Sequence, residues 1–238
     1  MARKAKIDNA LKKRFERKEK KRAINTRNKL VYFLIVCEGE KTEPKYFEAL
    51  EKELPRGTVE LSIDGTGRNT IGLVNYAIKQ RDIAIREYDR VWVVFDKDDF
   101  PDRNFNGAIT KASSNNINCA WTNEAFELWF LLHFQFVNTG MNRADYKAFL
   151  EREIKRKSRK TTYKYLKNDA NTFSLLKTHG NQKQAIEWAK QLKLNYIDKR
   201  YATHNPCTLV HELIEELLNP HEVLKRIEEK KDDCSNQK

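Results

Sequence analysis

Two acidic strings in the chain have the composition and spacing of a metal-dependent site for phosphoryl chemistry. One is Glu38-Gly39-Glu40, the other Asp96-Lys97-Asp98-Asp99, and each directly follows an apolar run. Alternate residues of an extended chain share a face, so Asp96 and Asp98 can converge on one point while Lys97 points away. Gly39 lets a backbone or a phosphate come close behind Glu38. Carboxylates gathered at one point repel each other, and a hard cation relieves that repulsion. Mg2+ (or Mn2+) suits such a set, because it takes one or two carboxylates and leaves room for water and substrate phosphates. A lone Asp-x-Asp after a strand is usually a solvated turn. Glu-Gly after a second buried strand makes the pair of strings more specific.

The elements that must carry these groups are Leu30 to Cys37 and Val91 to Phe95, continuous apolar runs that read as strands buried on both faces. Pro44 stands where a first helical residue belongs and opens a helix to about Leu54. Val59 to Ile63 alternates like a short strand. Asp64-Gly65-Thr66-Gly67 then turns the chain into a helix over roughly residues 70–86, with Ile71, Val74, Ala77, Ile78 and Ile85 on one side. Residues 105–115 read as a helix, Ile117 to Trp121 as a strand and Glu124 to Phe134 as an apolar helix. This alternation predicts an α/β fold, a parallel Rossmann-like sheet flanked by helices. Ligands of such sheets sit beyond the carboxyl ends of the strands, and both acidic strings fall there. After about residue 142 only helical patterns remain, at 143–157, 181–195, 206–218 and 220–231. The dipeptides Asn205-Pro206 and Asn219-Pro220 each look like a helix start. The expected organisation is a basic tail or helix at 1–29, an α/β domain at 30–142, and a helical completion at 143–238.

The net charge of +12 is unevenly spread. Residues 1–29 hold 13 Lys/Arg against 3 Asp/Glu, residues 30–142 hold 12 against 17, and residues 143–167 hold 10 against 3. Two basic blocks around an acidic centre suit a polyanion, through phosphate contacts and counterion release. Lys41, Arg156, Lys157, Arg159 and Lys160 are the candidate nucleic-acid contacts, and Tyr163 and Tyr165 are interleaved with further basic residues. Asp64-Gly65-Thr66-Gly67-Arg68 lacks P-loop spacing and reads as a plain turn. No apolar run approaches membrane-spanning length, no secretory signal is present, and the four cysteines are scattered without a ligand pattern. A reduced, cytoplasmic protein is the expectation.

Among the remaining acids, Glu127 is prominent because it lies in an apolar helix, where a carboxylate needs a partner or a metal. It reads as a fourth metal ligand beside Glu38, Asp96 and Asp98, or as a group that supports those ligands at the same edge; a salt bridge to Arg or Lys is the alternative. Glu124 and Glu43 read as first-turn residues that complement a helix dipole, while Glu40 remains a further candidate near the metal. His133 and His204 have no partnered spacing and read as structural.

The acidic constellation resembles the Toprim domain of topoisomerases, primases, recombination factors and OLD-type nucleases. A narrower resemblance covers most of the chain. Phe33 to Pro44, Phe95 to Asp99, Asn123 to Phe134 and Asn205 to Thr208 together look like the RloB-like family of bacterial restriction and anti-phage loci, often encoded beside an ATPase. The resemblance implies a Toprim-like α/β domain in which Glu38 does general acid/base and metal work and Asp96 and Asp98 hold Mg2+. It departs from the Toprim pattern in lacking the glycine that often follows the aspartate pair. The expected activity is metal-dependent cleavage of RNA (tRNA among the candidates) or DNA, with Glu38, Asp96 and Asp98 as catalytic residues and an ATPase, or further copies of the chain, as partners. The alternative is a non-catalytic nucleic-acid-binding or sensor subunit beside that ATPase. A phosphoacceptor domain is a third reading, which the basic blocks do not support.

Overall fold

Continuous apolar runs put two strands at the middle of a parallel sheet, as a computed structural model of the chain describes for residues 30–97 and 99–235. The basic segment 1–29 and Asp98 lie outside the described residues. Strand β1 (Val31–Cys37) is buried along its length apart from half-exposed Tyr32, and β3 (Arg90–Lys97) is buried from Val91 to Phe95. Residues with both faces covered read as unbroken hydrophobic runs, and these two do. Strand β2 (Val59–Gly65) alternates in burial because it lies at an edge, and β4 (Asn118–Asn123) forms the other edge. The spatial order is β2-β1-β3-β4, with every pairing parallel. The chain moves outward from β1 to β2, then crosses back to β3 on the other side. The strand order therefore reverses between β1 and β3, and their carboxyl ends flank the switch point where ligands of open α/β sheets bind.

Helices cover both faces. On one side α2 (Thr70–Ile83) and α3 (Asp102–Ser114) pack Leu73, Val74, Ala77, Phe105 and Ala108 against Val36, Val93 and Phe95. On the other, α1 (Thr42–Glu51) and the short α4 (Glu127–Leu131) join α5 (Arg143–Ser158), α6 (Thr172–His179), α7 (Gln182–Leu194), α8 (Val210–Leu218) and α9 (Pro220–Ser235). Tyr46, Trp129, Tyr146, Leu150, Leu176, Leu213 and Val223 share that core with Phe33 and Ile35 of β1. Each such side chain contributes about 1.5–3 kcal/mol on full burial. That is enough for a few of them to offset a costly polar site at the sheet edge.

Several element boundaries differ from those read off the sequence. Helix α2 ends at Ile83, Ala84 is extended, and Ile85 is fully exposed instead of lining the apolar side. The chain must turn there, since the pairing of Phe33 with Arg90 fixes where β3 starts. The apolar segment 124–134 holds only one regular helical turn or so, because Glu124 takes a positive φ of 69° at its start. Asn205-Pro206 is a cis peptide and opens no helix. The residues after it stay extended along β4, where Thr208 bridges Thr122 and the Leu209 N–H donates to the Trp121 carbonyl at 2.8 Å. Helix α6, with Leu175 and Leu176 buried, was not evident from its short and weakly periodic sequence.

Candidate functional site

The site is built at the β1/β3 switch point. The Glu38 N–H donates to the Val94 carbonyl at 2.8 Å, which extends the pairing of the two strands by one residue beyond Cys37. The half-buried Glu38 carboxylate then accepts the Asp96 N–H at 3.3 Å, so the two strand ends are tied through an acidic side chain. Lys97 points elsewhere, donating to the Phe100 carbonyl and pairing with Asp102 at 3.2 Å. The alternation expected of the Asp96-Lys97 pair is thus realised. Asp98 is not among the described residues.

Three carboxylates from three elements face one another behind this edge. Asp96 Oδ2 accepts the Phe126 N–H at 3.2 Å and lies 3.8 Å from Arg143 Nη2, while its Oδ1 is buried with no hydrogen-bond partner. Glu127, 2% exposed, opens α4 and accepts the Tyr165 hydroxyl at 3.2 Å. Glu43, 5% exposed, sits in the first turn of α1 and leaves its Oε2 buried and unpartnered. Burial, then Glu43 and Glu127, push the Asp96 carboxyl well above the usual carboxylate range; Arg143 and the Phe126 N–H oppose the shift. Burial likewise raises Glu43, with Glu127 adding to the effect and Lys167 and Arg143 acting against it. Desolvation and like charge together penalise ionised carboxylates, and an unmatched buried oxygen compounds the cost.

Glu43 is the residue that sequence reasoning missed. A first-turn glutamate is ordinarily a solvated helix-dipole partner, whereas here the carboxylate folds back over Gly39. A Cβ built on Gly39 would lie 2.0 Å from Glu43 Oε2. The signal was present in Gly39, read as room for a backbone or phosphate; the room is taken by Glu43. Glu40 is exposed, and its side chain lies against Gly67 instead of joining the carboxylates. Arg143 was counted only as charge, yet it bridges Asp96 and the Glu124 carbonyl, to which its Nη2 donates at 3.1 Å. Glu124 itself, turned by its positive φ, accepts from Asn205 Nδ2 at 3.4 Å and makes no helix turn.

Of the expected metal ligands, Glu38, Asp96 and Glu127 are among the described residues and Asp98 is not. Among the described residues no group of three His, Cys, Asp or Glu side chains is arranged to hold an ion. The physical reason is visible in the contacts. Glu38 spends an oxygen on a backbone N–H, Glu127 one on Tyr165, and Arg143 stands beside Asp96. What remains is a pair of orphaned oxygens, Asp96 Oδ1 and Glu43 Oε2, on hard-oxygen donors. That chemistry fits a Mg2+-type ion, which commonly takes one or two protein carboxylates and completes its shell with water and phosphate.

The candidate polyanion contacts are all exposed. Lys41 is exposed at the start of α1. The next residue, Thr42, donates its hydroxyl to Asn168 at 2.6 Å, which brings α1 against the segment that follows α5. Arg156, Lys157, Arg159 and Lys160 are exposed at the end of α5, with Arg159 closing the helix at φ 57°. Arg156 is partly engaged, since it pairs with the buried Glu153 at 2.7 Å. Tyr163 and Tyr165 are half-buried off the helix and pack against the core; burial pushes Tyr163 up to about 12 and raises Tyr165, Glu127 adding to it. No described helix is long and apolar enough to cross a membrane.

With this geometry in hand, comparison adds one match. A family model described as RloB-like protein matches residues 33–217, from β1 to the end of α8, and so takes in every carboxylate described above. No curated protein and no solved structure matches the chain.

Proposed function

The chain belongs to the RloB-like family, and on that premise we propose that it is a metal-dependent nuclease of a bacterial anti-phage defence system, cleaving phosphodiester bonds of RNA (tRNA included) or DNA at the carboxyl edge of its sheet. One observation carries the reading. Glu43 and Glu127 are buried, Asp96 is 13% exposed, the three lie within electrostatic reach of one another, and two of their oxygens have no partner among the described residues. Proteins seldom retain such an arrangement without a cation or a function to use it. Asp96 and Glu43 would hold Mg2+ or Mn2+, with Glu127 beside them and Asp98 following in the Asp-x-Asp string.

A bound ion of this type neutralises a scissile phosphate and makes water a better nucleophile near neutral pH. The remaining work falls to the chain. Glu38, half-buried at the rim, is the carboxylate placed to take a proton from an attacking water. Arg143 offers its guanidinium where a phosphate oxygen would approach Asp96. Lys41 and the cations after α5 guide the polyanion. The test is to incubate the purified chain, alone and with a partner ATPase, with tRNA, mRNA, and single- and double-stranded DNA in Mg2+ or Mn2+. Cleavage that disappears with chelator, with Glu38→Ala and with Asp96→Ala supports the proposal. Binding without cleavage under every metal and with the partner present would sink it.

A second reading has its own observation. Arg143 and Tyr165 already compensate Asp96 and Glu127 from within the protein. A non-catalytic nucleic-acid-binding or sensor subunit, acting with an ATPase, needs no more than that. It expects nucleic-acid binding indifferent to chelator.

A further inference from the structure

Residues 159–171 run from α5 to α6 with neither helix nor strand, and they lie across the acidic site. Two residues fasten this strap. The Tyr165 hydroxyl donates to Glu127 Oε1 at 3.2 Å, and Asn168, at a φ of 76°, accepts from Thr42 Oγ1 at 2.6 Å and from Lys45 Nζ at 2.8 Å. Thr42 and Lys45 belong to α1, the helix of Glu43, whereas Glu127 belongs to α4. A single loop therefore touches both helices that aim a carboxylate at Asp96. The Tyr165 N–H is itself fixed by Glu151 Oε2 at 2.9 Å.

The outward side of the strap carries a different chemistry. Arg159, Lys160, Lys164 and Lys167 are exposed, and no acidic residue occurs from Ile154 to Asn168. None of the four cations has a salt-bridge partner among the described residues. Lys167 is close enough to favour the charged form of Glu43, so the basic segment reaches the carboxylates at this residue. With both tyrosine hydroxyls turned inward, the strap offers charge instead of stacking faces. Such a surface follows a phosphate backbone and leaves the bases unread.

We propose that residues 159–171 form a phosphate-binding strap along which a nucleic-acid strand lies, and that Tyr165 is a positioning residue that holds Glu127 in its working orientation. The second half rests on the metal-site reading above; the first stands without it. A neighbour that orients a metal-ligating carboxylate typically matters 10–100-fold for affinity or activity. Among the described residues the hydroxyl of Tyr165 is the one hydrogen-bond donor to Glu127.

The test compares wild type, Lys164→Ala/Lys167→Ala, Tyr165→Phe, Glu127→Gln and the Tyr165→Phe/Glu127→Gln double, all checked for an unchanged melting transition. Affinity for a short labelled single-stranded RNA and for duplex DNA is followed over a salt series without metal. Mn2+ binding is followed by electron paramagnetic resonance, and cleavage is followed separately. The lysine double is expected to lower the salt slope by roughly 1.4–1.8 and to raise KM. Tyr165→Phe is expected to leave the slope alone and to weaken Mn2+ binding on the order of tenfold, with kcat falling and KM steady. In the Glu127→Gln background it should do nothing further. An unchanged slope in the lysine double overturns the strap. A Tyr165→Phe effect of the same size with Glu127 already replaced overturns the positioning role. If wild type binds RNA with the full slope but neither takes up Mn2+ nor cuts, the nuclease reading and the role of Tyr165 fall while the strap stands.

Discussion

The Glu38 carboxylate accepts the backbone N–H of Asp96 at 3.3 Å, which closes the gap between the two central strands with an acidic side chain. The Asp96 side chain, in turn, faces Glu43 and Glu127 and is 13% exposed. A group in this position is costly to the fold in the absence of a cation. Asp96→Asn keeps the shape and removes the charge, so it is expected to stabilise the metal-free protein by about 1–2 kcal/mol while abolishing cleavage. For a chain of this length each kcal/mol corresponds to roughly 2–4 °C in Tm. Calorimetry with and without Mg2+ checks it: the ion should raise the wild-type Tm and leave the variant unmoved. A variant less stable than wild type in chelator would contradict the expectation.

Arg143 is the counterweight to that repulsion. It lies 3.8 Å from Asp96 Oδ2 and also holds the Glu124 carbonyl, so it braces the turn from β4 into α4. Arg143→Met removes the cation and leaves the carboxylates less compensated. The expected cost is about 1–3 kcal/mol, read from urea denaturation. Combining it with Asp96→Asn should recover a good part of the loss, because residues in contact are not additive. A strictly additive double would mean that the pair does not interact.

Much of this arrangement is legible in the sequence. The runs Leu30 to Cys37 and Val91 to Phe95 are buried because they are central strands, and that alone puts Glu38 and Asp96 at the carboxyl edge. Glu127 was conspicuous because an acid among Phe126, Leu128, Trp129 and Phe130 must be provided for. The remainder depended on long-range contacts that periodicity does not encode. Arg143 and Tyr165 reach the site from α5 and the strap, 47 and 69 residues beyond Asp96 in the numbering. Glu43 looked like an ordinary helix start until the backbone at Gly39 let its side chain fold inward.

Gly39 supplies a direct test of that last point. Its backbone is not in the left-handed region, so alanine is admissible there on conformational grounds; the obstacle is Glu43 Oε2, 2.0 Å from where a Cβ would stand. Gly39→Ala is therefore expected to displace the Glu43 carboxylate and to weaken Mn2+ binding, with a folded far-UV spectrum retained. Glu43→Ala should have the same consequence, and the two together no more than either. If Gly39→Ala lowers metal binding equally in the Glu43→Ala background, the glycine acts through something other than Glu43.

Acid sensitivity is expected from His133, a residue remote from the chemistry. It is 4% exposed, and its Nδ1–H donates to the Trp129 carbonyl at 2.9 Å, a bond that favours the charged ring but does not outweigh burial. Burial lowers its pKa from 6.5 to about 4. Between those values the unfolded chain binds the proton and the folded one does not, so stability is complete above pH 6.5 and declines as the pH falls toward 4. The full loss is about 3 kcal/mol. His211, whose pKa burial also lowers, acts in the same sense. Asp96 and Glu43 act in the opposite one, because their raised pKa values let the folded state take up protons as the pH falls. Total stability therefore mixes the two effects, and the informative quantity is a difference. His133→Asn keeps a donor where Nδ1 stood and cannot titrate. Subtracting its urea-derived stability from that of wild type across pH 4–7 should leave a curve that falls on the acid side. A flat difference would mean that His133 takes up its proton at the same pH in the fold as in the unfolded chain, and that the buried ring has a partner for its charge.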